Sequence, residues 1–148
     1  MEHQNNIRKQ TVFVDSDAFV ALAKEDDANH GKAVALLNKL FNQPVVFLTS
    51  NYVFLETVTV ISMRVGREPA LAFINSIKSP SNGFLVHWID ETLEDKAIEI
   101  FKQQTSKNVS FVDCVNMAFM RQNQIDAIFG FDEIYKKNKF QYANSLVW

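Results

Sequence analysis

The sequence predicts an α/β domain in which a mainly parallel sheet of about five strands is covered by helices on both faces. Three observations predict it. Short apolar, β-branched or aromatic runs alternate with stretches of helical period along the whole chain. Runs such as TVFV are apolar throughout, as expected of strands buried on both faces, where a half-exposed strand would alternate with polar residues. The length, 148 residues, suits one domain and is short for two.

The elements follow in order. Thr11–Val14 reads as a strand ending at Asp15. Ala18, Phe19, Leu22 and Ala23 have helical spacing and predict a helix over 16–23. Polar residues 24–30 connect it to a second helix over 31–41, with Val34, Leu37, Leu40 and Phe41 on one face and Pro44 beyond its end. Val45–Leu48 is the second strand. Thr49 or Ser50 caps a helix that runs to about Val65 and stops at Gly66. A further helix starts near Pro69 and reaches Ile77, and SPSNG is a turn. A strand is expected over 84–89, helices over 91–104 and 110–120, and a strand over 127–129 that leads through Gly130 and Phe131 to Asp132. A short helix and a last edge strand over 146–148 complete the reading. No repeat or low-complexity segment interrupts it, so residues 1–148 form a single domain with a polar tail over 1–10.

Composition bounds the function. With 47% hydrophobic residues, including 13 Phe, there is ample material for a core, and a domain of this size buries roughly 70% of its unfolded surface. Charged residues make up 22% and nearly balance, which excludes a disordered chain. The net charge of −2 gives no general affinity for polyanions, since that comes from Lys and Arg neutralising phosphates. A single cysteine, Cys114, excludes an intrachain disulfide and fits a reducing compartment. The first residues lack an apolar signal region. No apolar run approaches the roughly 18 residues of a membrane span, because Glu56, Thr57 and Thr59 break the best of them. A soluble cytoplasmic protein with no membrane segment is expected.

Four carboxylates stand at telling places. In an open parallel sheet, ligands bind beyond the carboxyl ends of the strands, where strand order reverses. Asp15 ends the first strand and Asp132 the fourth; each also suits a helix N-cap. Glu56 lies in YVFLETVTVI, a helix with almost no other charge, where a carboxylate needs a partner or a metal. Asp113 lies in the first turn of an apolar helix, favoured there by the helix dipole and aimed past the sheet edge. Carboxylates gathered together repel, and a hard dication compensates them. All-oxygen ligands suit Mg²⁺ or Mn²⁺, ions that promote phosphoryl displacement.

The segments VDSDAFVAL, TSNYVFLETV and SFVDCVNMAFMRQNQIDAIFGFD resemble the successive motifs of PIN-domain proteins, especially the VapC-type toxins. The likeness spans about Thr11 to Phe140. It implies a three-layer α/β/α fold and a metal-dependent endoribonuclease, the toxin of a toxin–antitoxin pair. It implies catalytic and metal-binding roles for Asp15, Glu56, Asp113 and Asp132, with Mg²⁺ or Mn²⁺ as cofactor and RNA as substrate. Ser16 and Thr49 match small hydroxyl positions that line the family's site, and Asp17 stands where Ser or Thr is usual. Val112 stands where the family often has Thr. A homodimer and an antitoxin-like partner are further expectations. The dimer is also suggested by apolar residues of the third and fourth helices, Val53, Phe54, Val58, Val60, Ile61, Leu71, Phe73 and Ile74, which exceed what one sheet face needs.

Other residues are read more plainly. Arg64, Arg67, Lys136, Lys137 and Lys139 are candidates for phosphate contact or ordinary solvated charge. His3, His30 and His87 lack ligand spacing. Cys114 reads as a buried small hydrophobe, and the two Trp as core. Two rivals stay open. Asp15-Ser16-Asp17 after a strand also resembles haloacid-dehalogenase-type phosphatases, a reading that leaves Glu56 unexplained. A non-catalytic interaction module would make the acids mere caps.

Overall fold

The computed structural model describes residues 8–79 and 81–148, so His3, most of the polar tail and Pro80 of the SPSNG turn lie outside the described residues. The elements are β1 (Gln10–Val14), α1 (Ser16–Ala23), α2 (His30–Phe41), β2 (Val45–Ser50), α3 (Asn51–Arg64), α4 (Arg67–Lys78), β3 (Phe84–His87), α5 (Glu91–Gln103), α6 (Phe111–Gln122), β4 (Ala127–Phe129) and α7 (Ile134–Lys137). Strand order is β3-β2-β1-β4, and every pairing is parallel. The mainly parallel sheet thus has four strands, with a one-residue parallel bridge between Ile128 and Tyr142 beyond β4. The edge strand expected over 146–148 does not form. After the bridge, Ala143–Ser145 turns as a 3₁₀ helix, which takes the chain off the sheet and turns Leu146 into the core.

The pleat explains the layers. Val12 pairs with Phe47 and Phe13 with Leu48, so alternate residues face opposite sides. On one side Phe47 and Phe84 are in contact; Phe47 also meets Phe41 of α2, and Phe84 meets Phe19 of α1. On the other side Phe13 meets Phe119 of α6, with ring centroids 5.3 Å apart. β1 is therefore sealed on both faces, with Val12, Phe13 and Val14 at most 1% exposed. Burying a side chain of that size contributes about 1.5–3 kcal/mol. Helices α5 and α6 pack together, as do α3 and α4, while α1 packs on α2 and α3.

Local signals set the boundaries. Ser50 caps α3 by accepting from the Val53 N–H at 3.1 Å, which leaves Thr49 and Ser50 inside β2, paired with Val86 and His87. Gly66 sits at φ +147°, a conformation that L side chains avoid, and it lets only two residues separate α3 from α4. Two expectations need correction. Both Trp are exposed, Trp88 at 75% and Trp148 at 42%; one follows the edge strand β3 and the other follows the 3₁₀ turn that leaves the sheet. The apolar residues of α3 and α4 are also less of a surplus than they read: Val53 and Ile61 are fully buried, and Phe54 and Phe73 pack against the core. The exposed apolar side chains there are Leu55, Met63, Val65 and Leu71. Among the described residues, no helix is long and apolar enough to cross a membrane.

From β1 the chain steps outward to β2 and β3, then returns to lay β4 on the other side of β1. The reversal lies between β1 and β4, the position where an open parallel sheet forms its crevice.

Candidate functional site

Each of the four acids is delivered by a local rule. β1 ends at Asp15, which caps α1: its Oδ1 accepts from the Ser16 N–H at 2.7 Å. Asp113 forms a capping box with Ser110. Asp113 N–H donates to Ser110 Oγ, and Asp113 Oδ2 accepts from the Ser110 N–H, both at 3.0 Å. Asp132 follows β4 and accepts from the Ile134 N–H at 2.9 Å. Glu56 projects from α3 into a pocket that Ser16 also lines. The capping role is thus real for Asp15 and Asp113, while Glu133 and not Asp132 stands at the N-cap of α7. It does not exhaust them, because the Asp113 capping box and the Asp132 contact with Ile134 each occupy a single oxygen.

Glu56, Asp113 and Asp132 line one pocket of about 300 Å³, together with Ser16, Asp17 and Arg64. Asp15 lies beneath it, 4% exposed. Its Oδ1 also accepts from Asn116 Nδ2 at 3.1 Å, and its Oδ2 accepts from the Tyr135 hydroxyl at 2.6 Å. Asp17 joins the group. Its Oδ2 accepts from the Phe131 N–H at 2.8 Å, while its Oδ1 is buried without a partner. Gly130 makes room for this pair: a Cβ there would lie 3.2 Å from both Asp15 Cβ and Asp17 Oδ1. Gly130→Ala is therefore expected to destabilise the fold by about 1–3 kcal/mol through overpacking. Urea unfolding would test this, and an unchanged midpoint would mean that the contact yields freely.

The electrostatics are one-sided. Burial, then the neighbouring Asp17 and Asp113, push Asp15 up to about 8, against the pull of Tyr135 and Ser16. Asp17 is pushed up to about 6, chiefly by burial, with Asp132 and Asp113 adding to it. Glu56 and Asp113 are also raised, first by burial and then by Asp113 and Asp132 respectively. Among the described residues, none of the ion pairs involves any of these five acids. Uncompensated carboxylates facing one another favour a cation.

An all-oxygen donor set, an orphaned buried oxygen on Asp17 and the absence, among the described residues, of an ion pair to any of these acids fit a hard divalent ion. The side chains are not drawn together into a ligand shell: among the described residues, no three His, Cys, Asp or Glu stand close enough to hold an ion. Asp17, Glu56, Asp113 and Asp132 share the lining of one pocket, and Asp15 is buried next to them.

Other candidates scatter. Thr49 is buried, and its hydroxyl donates to the Val14 carbonyl at 3.0 Å, tying β2 to β1 away from the pocket. Arg64 lines the pocket; Arg67 does not. Lys137 lies beside Asp132 in an adjoining hollow, Lys136 lines a separate cleft near Tyr142, and Lys139 is exposed. His30 hydrogen-bonds the Ala21 carbonyl at 2.7 Å, His87 packs on Phe119, and Cys114 is fully buried with its thiol pushed up to about 11. Sequence reasoning missed Tyr135 and Asn116. Asn116 had a signal: it is an amide set among the apolar residues of α6, one turn from Asp113 on the same face. Tyr135 had none, because a buried tyrosine in a short helix reads as core.

Comparison with known proteins agrees with this architecture. The PIN domain family model matches residues 12–141. The 23S rRNA-specific endonuclease VapC20 of Mycobacterium tuberculosis, in strains CDC 1551 and H37Rv, is 34% identical over 121 residues, covering 82% of this chain and 88% of that protein. The crystal structure of M. tuberculosis VapC20, described as a sarcin-ricin loop cleaving toxin, superposes with a TM-score of 0.79 at 32% identity, covering 87% of this chain and 95% of that one.

Proposed function

The chain belongs to the PIN-domain family, and on that premise we propose that it is an endoribonuclease whose carboxylates hold Mg²⁺ or Mn²⁺. The observation that carries the reading is the group of five acids, unpaired with any base among the described residues, at the reversal of strand order. Asp15, Glu56, Asp113 and Asp132 would hold the ion, and Asp17 adds charge beside Asp15. A divalent cation there supplies Lewis acidity toward the scissile phosphate and toward water. Arg64, the one basic residue among those lining the pocket, offers charge to a flanking phosphate, and Lys137 beside Asp132 extends it. RNA is the substrate class, and ribosomal RNA is the first to try, given the named activity of VapC20.

The phosphatase reading is not favoured. It leaves Glu56 and Asp113, which line the same pocket, without a role. A purely non-catalytic module leaves the unneutralised charge without a purpose. A toxin role brings an antitoxin-like protein as partner, which would quench the site by placing an Arg or Lys among the acids. A homodimer, joined through the exposed Leu55, Met63 and Leu71, would pool the basic side chains of two chains and offset the net charge. Light scattering over a dilution series measures it.

The test of the activity is to incubate the protein with ribosomes and total RNA, with Mn²⁺, Mg²⁺ or EDTA, and to map new RNA ends by sequencing. Discrete new ends with either ion, absent with EDTA, are expected. No new ends from a folded, ion-bound protein would sink the reading.

A further inference from the structure

We infer that Tyr135 and Asn116 are positioning residues that fix the Asp15 carboxylate for its cation, an inference that rests on the proposed metal-dependent activity. The three residues come from three elements, the end of β1, α6 and α7, and form a closed, buried triangle. The Tyr135 hydroxyl donates to Asp15 Oδ2 at 2.6 Å, and Asn116 Nδ2 donates to Asp15 Oδ1 at 3.1 Å and to the Tyr135 oxygen at 3.0 Å. Tyr135 and Asn116 are both 0% exposed.

Capping alone does not account for this. An N-cap needs one oxygen to accept from the first turn, and the Ser16 N–H at 2.7 Å meets that need. The two extra donors add nothing to the helix. They cost burial of polar groups that Phe and a small apolar residue would avoid, and one of them, Asn116 Oδ1, stays unpartnered. What they achieve is orientation. A carboxylate offers about four acceptor positions. Ser16, Asn116 and Tyr135 fill three, so rotation of the group is blocked and the remaining position has a fixed direction.

The phenol also spans two acids. Its oxygen lies 3.4 Å from Asp113 Oδ1, and its single proton goes to the nearer Asp15. One phenol oxygen thus lies within 3.4 Å of both carboxylates. That oxygen is anchored on α7, whose Ile134 N–H donates to Asp132. One short helix thus touches three of the acids. Groups that orient metal-holding carboxylates in this way typically alter metal affinity or activity by 10–100-fold when removed.

Tyr135→Phe removes the oxygen and keeps the ring, which packs edge-on against Phe140. Mn²⁺ affinity, read from the electron paramagnetic resonance of free Mn²⁺, is expected to weaken about 10–100-fold. The rate kcat for RNA should fall in step while KM for RNA holds, with circular dichroism as in the parent. Asn116→Leu, with the same branched heavy-atom skeleton, should act in the same direction, and it decides the matter if Tyr135→Phe does not fold. Parental Mn²⁺ affinity in the folded variants would overturn the inference, and so would a lowered melting temperature with affinity unchanged, which marks a merely structural bond. Asp113→Asn, measured alongside, separates the two ideas. If it too binds Mn²⁺ as the parent does, it is the metal reading itself that fails.

Discussion

Asp113→Asn is expected to lower RNA cleavage at least about a thousandfold, close to 4 kcal/mol of barrier, while leaving the fold intact. The contrast comes from the two jobs of this side chain. As a cap it accepts from the Ser110 N–H at 3.0 Å, and an Asn carbonyl oxygen accepts equally well. As a pocket acid it faces Asp132 and lies near Asp15, and there the negative charge is what counts. Removing one charge from a crowded group of acids also relieves repulsion, so the metal-free variant should melt at the parent's temperature or slightly above. Asp15→Asn is expected to behave alike in the cleavage assay. Near-parental cleavage by both variants would reduce these residues to helix caps and remove the basis of the proposed chemistry.

The metal-free protein is expected to lose stability as pH rises from about 5 to 8, and a divalent ion should cancel much of that loss. The sign follows from burial. Asp15 is pushed up to about 8 and Asp17 to about 6, whereas an unfolded Asp titrates near 3.9. Between those values the native state binds more protons than the unfolded chain, so its stability declines with pH. This contribution is fully present below about 4 and is lost as pH rises through the native values. For Asp15 the loss amounts to roughly several kcal/mol, or on the order of 10 °C in melting temperature for a chain of this size. Mn²⁺ or Mg²⁺ binds the deprotonated acids and should therefore raise the melting temperature more at pH 8 than at pH 5. Melting curves at both values, with EDTA and with excess ion, give the answer. A metal shift as large at pH 5 as at pH 8 would contradict the idea that these acids hold the ion.

By itself the sequence determined the class of the fold and where the acids would fall along it. Elements with a strong local cause were legible: β1, α1 and β4 from unbroken apolar runs and caps, and α3 from Ser50 to its end before Gly66. The acids were legible for the same reason. Asp15 and Asp132 stand at strand ends, and Glu56 and Asp113 are charges in apolar helices, so each is conspicuous within a few residues of chain. What depends on residues far apart in the chain was not legible. Tyr135 and Asp15 are 120 positions apart, and nothing near either one signals that a phenol will meet a carboxylate. Thr49 reads as a site hydroxyl but is spent on the Val14 carbonyl, because parallel pairing sets β2 beside β1. Tertiary structure also decided that Asp15 lies under the pocket while Asp17 lines it, through the close approach of the Gly130 turn. The physical reason is one of range. Propensity, capping and strand termination act over a few residues and are written locally, whereas burial, and with it the charge state and hydrogen bonding of an acid, is set by whichever distant side chains the packing brings against it.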